Sequence, residues 1–310
     1  MRSTTAGPPG ELSSYPGVRC LERIFRETYP FMGESVRRAY SVFGPEWARE
    51  LEELLGRMFP ADSDLAAAAK GYVNFALDAM RLQKRFEREL RYIPKSHAEA
   101  SGEVYHNEAY MMGLYLPGIL LSHLLWPHHY RQRRFFEMSF LEDMRRAGAA
   151  RFCEVGVGTG FYSRVVLVGL PGVIGTGYDI SAFSRFYGER QAAAFGVADR
   201  FRVCLQDVVA NPPAEETDWL VSVEVLEHLE DPPRFLRGLR QLLRPGGKAF
   251  ITAALNAANA DHIYLYRSPG EVTAQLADAG FAVEQAFVAA AYRPPARDVP
   301  VPEVAAFIVT

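Results

Sequence analysis

The spacing of apolar residues divides the chain into two halves. From residue 18 to about residue 145, apolar residues recur at three- and four-residue intervals, which predicts helices. Pro45 suits a first helical turn and Pro60 ends that helix, because proline lacks the backbone N–H that a helix interior requires. The predicted helices cover residues 22–28, 34–43, 45–59 and 64–92.

Beyond about residue 150, short apolar runs rich in β-branched residues alternate with helical patterns. The seven runs are RFCEVG, GVIGTGYDI, RFRVCLQD, DWLVSVEVL, KAFITAAL, FAVEQAFVA and EVAAFIVT. Helical patterns at residues 161–170, 183–195 and 232–243 lie among the first five runs, and this alternation predicts a parallel sheet covered on both faces. A proline-rich segment, residues 293–302, joins the last two runs without a helical pattern, so we expect an antiparallel hairpin at one edge of the sheet.

These patterns predict an α/β core, residues 146–310, preceded by a helical cap or lid domain, residues 18–145. Residues 1–17 are rich in proline, glycine and serine and lack the apolar run of a signal peptide, so we expect a disordered lead. The most hydrophobic stretch, residues 114–126, is too short to span a bilayer and contains Pro117 and His123. It predicts a buried or pocket-lining helix.

Charge and cysteine content narrow the class of partner. Residues 1–145 carry 19 basic and 19 acidic side chains and residues 146–310 carry 15 and 18, so neither half is basic. A nucleic-acid binder that neutralises phosphates is therefore excluded. Cys153 and Cys204 lie in apolar runs and predict buried free thiols in a reducing compartment. We expect a cytoplasmic protein with no membrane partner.

A glycine-rich loop follows the first predicted strand and opens a helix. Residues 154–160 read EVGVGTG, a G-x-G-x-G spacing in which the backbone can turn tightly and approach a ligand without a Cβ in the way. The second strand ends in Asp179, about twenty residues further on, where a carboxylate can bind ribose hydroxyls. The third strand ends in Asp207. No P-loop lysine motif is present, which disfavours a nucleoside triphosphate.

The motifs EVGVGTG, YDIS, LQD, VEVLEHLEDP and LLRPGGKAFIT together resemble the class I S-adenosylmethionine-dependent methyltransferases, over residues 148–290. The resemblance implies a Rossmann-like core that binds S-adenosylmethionine. In the implied site, Glu154, Gly156, Gly158 and Gly160 cradle the methionine part, which Glu224 and Val225 also line. Asp179 binds the ribose, Ile180 packs on the adenine, and Asp207 bonds the adenine amino group beside Val208. By the same resemblance, His228 is mostly structural.

Two segments are expected to cover the carboxyl ends of the strands and bind the substrate. Residues 105–130 are dense in aromatic and histidine side chains, and residues 256–267 read NAANADHIYLYR. The candidate bases for the reaction are His106, Glu108, His123 and His262. Tyr110, Tyr115 and Tyr130 are candidates to wall the cofactor, since aromatic faces stabilise a sulfonium as they do an ammonium. For all of these residues, packing within the fold is the alternative.

We predict no metal site. Five of the seven histidines fall between residues 97 and 129, but their spacing is not His-x3-His, and His128 and His129 point in different directions on a helix. Three functions remain open. The first is methyl transfer to a small molecule, such as a specialised metabolite. The second is a cyclase that converts the cofactor to azetidine-2-carboxylate and methylthioadenosine. The third is a binding protein with a degenerate core, against which the intact glycines argue. A homodimer is also left open.

Overall fold

Seven strands and ten helices form the described part of the chain, which in this computed structural model comprises residues 12–214, 216–294 and 299–310. The strands are β1 (Arg151–Val155), β2 (Ile174–Asp179), β3 (Phe201–Leu205), β4 (Thr217–Ser222), β5 (Leu243–Leu255), β6 (Val283–Ala290) and β7 (Glu303–Val309). The helices are α1 (Pro16–Thr28), α2 (Ser35–Met58), α3 (Asp62–Glu89), α4 (His97–Glu103), α5 (Glu108–Leu125), α6 (Pro127–Arg146), α7 (Phe161–Gly169), α8 (Ala182–Ala194), α9 (Pro232–Leu242) and α10 (Pro269–Asp278).

The seven strands form one sheet in the order β3-β2-β1-β4-β5-β7-β6. The first five strands are parallel, and β7 pairs antiparallel with both β5 and β6. This arrangement confirms the predicted fold class, including the C-terminal hairpin. The strand order reverses between β1 and β4, and in open α/β sheets a ligand binds in the crevice outside the carboxyl ends of the strands at such a point.

The N-terminal helices follow the predicted pattern with a different boundary at Gly44. The two segments predicted over residues 34–43 and 45–59 form the single helix α2, which bends where Gly44 takes a left-handed φ of 75°. Pro45 begins the second part, as its fixed φ and missing N–H allow. Helix α3 ends where Leu90 adopts a φ of 51°.

The structure also contains elements that the sequence pattern did not predict. Helix α10 lies between β5 and β6, where no helix was expected. In the segment predicted as a disordered lead, Leu12–Ser14 form a 3-10 turn and α1 begins at Pro16. Residues 1–11 of that segment lie outside the described residues, as do residues 295–298 of the proline-rich connection.

A shared hydrophobic core joins the helical half to one face of the sheet. Trp47, Phe136, Phe161 and Phe250 are almost fully buried within it. Helices α9 and α10 cover the other face in a second cluster. Polar contacts reinforce the junction, since the Arg190 guanidinium of α8 donates to the Met58 carbonyl of α2 over 2.7 Å. The helical half is thereby fixed against the core.

Two further bonds tie α3 to the segment after β5. The Gln83 side-chain amide donates to the Asn256 carbonyl over 3.1 Å, and the Ala258 N–H donates to the Gln83 amide oxygen over 3.0 Å. Gln83 is buried, so these bonds are sheltered from water. They hold the helical half against the carboxyl edge of the sheet.

No single helix in the described ranges is long and apolar enough to cross a membrane. Helices α5 and α6 taken together are long and apolar enough, but they meet at an angle of 75°.

Candidate active site

A cavity of about 1030 Å³ lies between the carboxyl edge of the sheet and the N-terminal helices. The glycine loop after β1 and the ends of β2 and β3 line one part of it. Phe75, Tyr115 and Trp126 from the helical half line another part. Its volume is at the upper end of the range for small-molecule sites, so it has room for more than one compact ligand.

The glycine loop adopts a backbone that side chains would not tolerate. Gly156, Gly158 and Gly160 have φ angles of 80°, 52° and 74°, in the left-handed region. A Cβ on Gly156 would lie 2.4 Å from Val225 Cγ2, whereas a Cβ on Gly158 would meet nothing within 4 Å. Gly158 lines the cavity, so the backbone is open to a ligand at that residue. The backbone of this loop therefore allows a ligand to approach closely.

Asp179 at the end of β2 fixes the glycine loop. Its carboxylate accepts the backbone N–H of Gly158 over 3.0 Å and that of Ser181 over 2.8 Å. Burial raises the pKa of Asp179, although these N–H groups oppose the shift. Ile180 beside it lines the cavity with 42% of its surface exposed, so an apolar face is available to a flat ring.

Asp207 at the end of β3 is exposed and held in a turn. One oxygen of its carboxylate accepts the N–H groups of Val209 and Ala210, over 2.8 and 3.1 Å. Val208, which is buried, lies next to it on the cavity wall. The backbone therefore orients one oxygen of this carboxylate, and Asp207 itself lines the cavity.

Glu154 and Glu224 place two further carboxylates at the cavity. Glu154 accepts the backbone N–H of Ser163 over 3.1 Å, and burial raises the pKa of Glu154 to about 8. Glu224 has a left-handed φ of 51° and its N–H donates to Thr252 Oγ1 over 2.9 Å. Burial raises the pKa of Glu224 to about 7. A non-glycine residue in this conformation is strained and is common at functional sites.

These four carboxylates fit S-adenosylmethionine. The cofactor carries a sulfonium cation and an ammonium group, which would stabilise the ionised forms of Glu154 and Glu224 that burial disfavours. A pyrophosphate would be repelled by the same groups. The glycine loop, with Asp179 and Asp207 at the neighbouring strand ends, also suits the ribose and adenine parts of the cofactor.

Three histidines of α5 and α6 line the cavity, and we call them the cap histidines: His123, His128 and His129. His123 stacks on the Phe161 ring with centroids 4.3 Å apart, and its Nδ1 has no hydrogen-bond partner in the described part of the chain. Burial holds the pKa values of His123 and His128 well below 6.5 and that of His129 at about 3. All three rings are therefore neutral at pH 7.

A second group at the cavity combines histidines with carboxylates, and we call it the acidic–histidine cluster: Glu227, His228, Asp261 and His262. His228 Nδ1 lies 3.3 Å from Asp261 Oδ2 and 3.2 Å from the Asp261 carbonyl. Burial alone would lower the pKa of His228, but the charges of Asp261 and Glu227 outweigh it and raise that pKa. Burial likewise lowers the pKa of His262 to about 4.

The structure brings together most of the residues proposed from the sequence. The cavity lining includes His123, His262, Glu154, Gly156, Gly158, Asp179, Ile180, Asp207, Val208, Glu224 and Val225. Gly160 lies behind the loop, where a Cβ would meet Gly188 Cα at 2.8 Å.

Four proposed residues lie elsewhere. His106 and Glu108 are exposed and do not line the cavity. Tyr130 is buried against the Phe43 ring, 4.6 Å between centroids, and Tyr110 is half-buried outside the cavity lining. These four placements correct the expectation that the whole segment 105–130 faces the ligand, because only one side of α5 and α6 does so.

Sequence reasoning did not select several residues that the fold brings to the site: Tyr105, His129, Gln132, Glu227 and Asp261. Gln132 Nε2 lies 3.1 Å from Tyr162 Oη and 3.5 Å from Glu224 Oε1, and His129 Nε2 lies 3.7 Å from Glu224 Oε1. Asp261 precedes His262 inside the segment expected to bind the substrate, residues 256–267, so its position in the sequence is a usable signal. Gln132 lies in an arginine-rich stretch that gave none.

Comparisons with known proteins identify the family of this chain. A family model described as a methyltransferase domain matches residues 128–286, just over half of the chain. The ubiquinone biosynthesis O-methyltransferase of Pseudomonas syringae pv. tomato is 24% identical over 115 residues, which is 37% of this chain and 49% of that protein. An uncharacterized protein of Synechococcus sp. is 35% identical over 116 residues, which is 36% of this chain and 27% of that protein.

One solved structure is similar over nearly the whole chain. The mitomycin 7-O-methyltransferase superposes with a TM-score of 0.53 at 16% identity, over 96% of this chain and 95% of its own. That likeness shows a shared fold, N-terminal helices included. By contrast, the chain spans about half the length of the ubiquinone O-methyltransferase that it matches in sequence.

The chain belongs to the methyltransferase domain family, of the class I type that depends on S-adenosylmethionine. Membership confirms the predicted enzyme class, an S-adenosylmethionine-dependent transferase, and the predicted cofactor.

Proposed function

We propose that the protein transfers a methyl group to a hydroxyl of a small aromatic molecule bound beside the cofactor. The observation that carries this proposal is the shape of the cavity. The cofactor elements, Asp179 and the glycine loop, line one part of it. Aromatic side chains of the helical half, among them Phe75, Tyr115 and Trp126, line another part and suit a flat apolar acceptor.

The cofactor supplies the methyl group when bound, and the protein aligns and shields the reacting groups. Glu154, Gly156, Gly158, Asp179 and Asp207 would hold the cofactor. Alignment of the two reactants accounts for a large part of the rate in such displacements. The names of the O-methyltransferases to which the chain is similar support an oxygen acceptor.

We assign the role of base to His123. Its ring lines the cavity and is neutral because burial holds its pKa well below 6.5. A base of low proton affinity takes a proton most readily from an acidic hydroxyl. A phenol is therefore favoured over an aliphatic alcohol as the acceptor.

The cavity volume also favours methyl transfer over cyclisation of the cofactor. Cyclisation of the cofactor needs no second substrate, whereas about 1030 Å³ leaves room beside the cofactor. The test is incubation of the pure protein with S-adenosylmethionine, alone and with a panel of phenols, followed by mass spectrometry. We expect S-adenosylhomocysteine and a methylated phenol only when an acceptor is present. Methylthioadenosine with a cyclic amino acid, formed from the cofactor alone, would overturn methyl transfer.

Cofactor binding is tested by Asp179→Ala. We expect the affinity measured by calorimetry to fall more than tenfold, about 1.4 kcal/mol, because the carboxylate both fixes Gly158 and faces the ribose site. Asp199→Ala is the matched control, since Asp199 is exposed in the turn before β3. Equal affinities of the wild-type chain and Asp179→Ala would refute the assignment.

His123→Asn tests the base. General-base catalysis contributes about 10²- to 10⁴-fold, so turnover of the best phenol should fall by at least 10²-fold while cofactor affinity stays unchanged. His106→Asn, at an exposed site, is the matched control. A loss of cofactor affinity as large as the loss of turnover would contradict a role in proton transfer.

A further inference from the structure

Three side chains of the acidic–histidine cluster are spaced as a metal site would require. Ligand atoms of Glu227, His228 and His262 all lie within 4.8 Å of one another. Ligands at 2.0 to 2.2 Å from a metal ion are separated by about 3 to 3.5 Å. Rotation of the side chains that moves the ligand atoms by about 1.5 Å would bring the three groups to that spacing.

Glu227 lacks the partners that a buried carboxylate requires. The residue is fully buried, and neither oxygen of its carboxylate makes a hydrogen bond of normal geometry within the described residues. The backbone N–H groups of Glu227 itself and of Ala254 approach it and offset only part of the cost of burial. Burying a carboxylate without a partner costs several kcal/mol, and a cation beside Glu227 would stabilise its ionised form.

The two histidines are oriented as metal ligands are. His262 Nδ1 lies 2.7 Å from the Ala257 carbonyl, and His228 Nδ1 lies 3.2 Å from the Asp261 carbonyl. Each Nδ1 therefore carries the proton, and each Nε2 keeps a lone pair. Ligand histidines typically donate their other N–H to a carbonyl or carboxylate in this way. The two rings are 4.9 Å apart between centroids at 77°.

Asp261 lies next to His228 but is not one of the three ligand residues. It is fully buried, its Oδ2 accepts hydrogen bonds from the hydroxyls of Tyr105 and Tyr115, and it lies 3.3 Å from His228 Nδ1. It thus holds the His228 ring in place and adds a second negative charge beside Glu227. Together the two carboxylates would balance the charge of a divalent ion.

We propose that Glu227, His228 and His262 bind a divalent first-row transition metal ion at the wall of the cavity. Two imidazoles and one carboxylate suit zinc or ferrous iron better than magnesium or calcium, which prefer oxygen ligands. His228 and His262 line the cavity, whereas Glu227 lies behind them. Coordination positions not filled by the protein would therefore face the cavity, where an oxygen of a ligand could occupy one.

The experiment uses the full chain after treatment with a chelator and removal of the chelator. We expect calorimetry to show one Zn²⁺ bound per chain, and Co²⁺ to give the intense visible absorption of a four- or five-coordinate site. Glu227→Gln and His262→Gln should each weaken Zn²⁺ binding more than tenfold, and Asp261→Asn by about 10- to 100-fold. His106→Gln removes an exposed histidine and should change nothing.

Circular dichroism establishes whether each variant is folded. If a variant does not fold, the Co²⁺ spectrum of the wild-type chain decides alone, because surface-bound Co²⁺ keeps the faint spectrum of the hydrated ion. Absence of Zn²⁺ binding in the wild-type chain would overturn the proposal, and so would Zn²⁺ binding by Glu227→Gln and His262→Gln that is as tight as that of the wild-type chain. These readouts do not depend on methyl transfer, so the two proposals fail independently.

Discussion

Two groups of histidines line the same cavity and differ in their electrostatic surroundings. The cap histidines are buried among aromatic rings, and the charged side chains near His123 are Arg164 and Arg133. His228 is buried beside Asp261 and Glu227. As a result, burial holds the pKa of His123 well below 6.5, whereas the carboxylates raise the pKa of His228.

His123 and His228 differ in the charges that are buried with each ring. Burial disfavours the imidazolium in both groups. At His228 the attraction of Asp261 and Glu227 offsets that cost, whereas at His123 the nearby Arg164 and Arg133 add to it. One cavity can therefore hold histidines whose pKa values are shifted in opposite directions.

The largest effect is expected from removing the charge of Asp261. Asp261→Asn removes the buried carboxylate that lies 3.3 Å from His228 Nδ1 and weakens the bonds from the Tyr105 and Tyr115 hydroxyls. Breaking a buried pair typically costs 3 to 5 kcal/mol, so we expect the free energy of unfolding to fall by about 3 kcal/mol. Urea denaturation at pH 7 of protein freed of metal measures it.

Asp218→Asn is the control for this substitution. Asp218 pairs with Arg244 over 3.1 Å at the surface, where both side chains are about half exposed. Its loss should cost less than 1 kcal/mol. If the two variants lost stability equally, the acidic–histidine cluster would not be held together by charge, and the comparison between the two groups would fail.

The sequence predicted the part of the site that the backbone builds. G-x-G-x-G, Asp179 and Asp207 each follow a strand, so their positions follow from the order of the elements. Contacts across the two halves could not be predicted in the same way. Gln132 reaches Glu224 across 92 residues, and Tyr115 reaches Asp261 across 146. Such pairs depend on how α5 and α6 pack on the core.

The exposed candidates show a second limit. Within residues 105–130 the sequence offers histidines on several sides of the helices, and periodicity alone does not say which side faces a ligand. His106 precedes α5 and is exposed, whereas His123 lies on its buried side. Two π-helical turns, Met111–Tyr115 and Glu137–Leu141, shift the phase of these helices, which a regular 3.6-residue period does not anticipate.

The cap histidines should make the protein sensitive to acid. The pKa of His129 is about 3 when folded and about 6.5 when unfolded, so between these values the unfolded chain binds more protons. The stability that the neutral ring contributes is complete above pH 6.5 and is lost as the pH falls toward 3. The expected slope is about 1.4 kcal/mol per pH unit for this histidine.

His129→Asn removes this contribution. The free energy of unfolding should therefore fall less steeply with acid, by about 1.4 kcal/mol per pH unit. Asparagine retains a polar group near Ser122 Oγ, which lies 3.1 Å from His129 Nδ1. The measurement is urea denaturation at several pH values between 4 and 7, with His106→Asn as the matched exposed histidine. If the free energy of unfolding falls equally steeply with acid in the wild-type chain and in His129→Asn, the ring is not neutral in the folded state.

The smallest effect is expected at Glu108, which lies outside the cavity. Glu108 is exposed in the first turn of α5, where a negative charge interacts favourably with the helix dipole. Glu108→Gln should therefore lower the free energy of unfolding by only about 0.5 kcal/mol, measured by urea denaturation, and leave cofactor affinity and turnover unchanged. A tenfold loss of turnover at constant cofactor affinity would instead place Glu108 at the reaction. The site would then extend beyond the two histidine groups, and the cavity wall would have to include the start of α5.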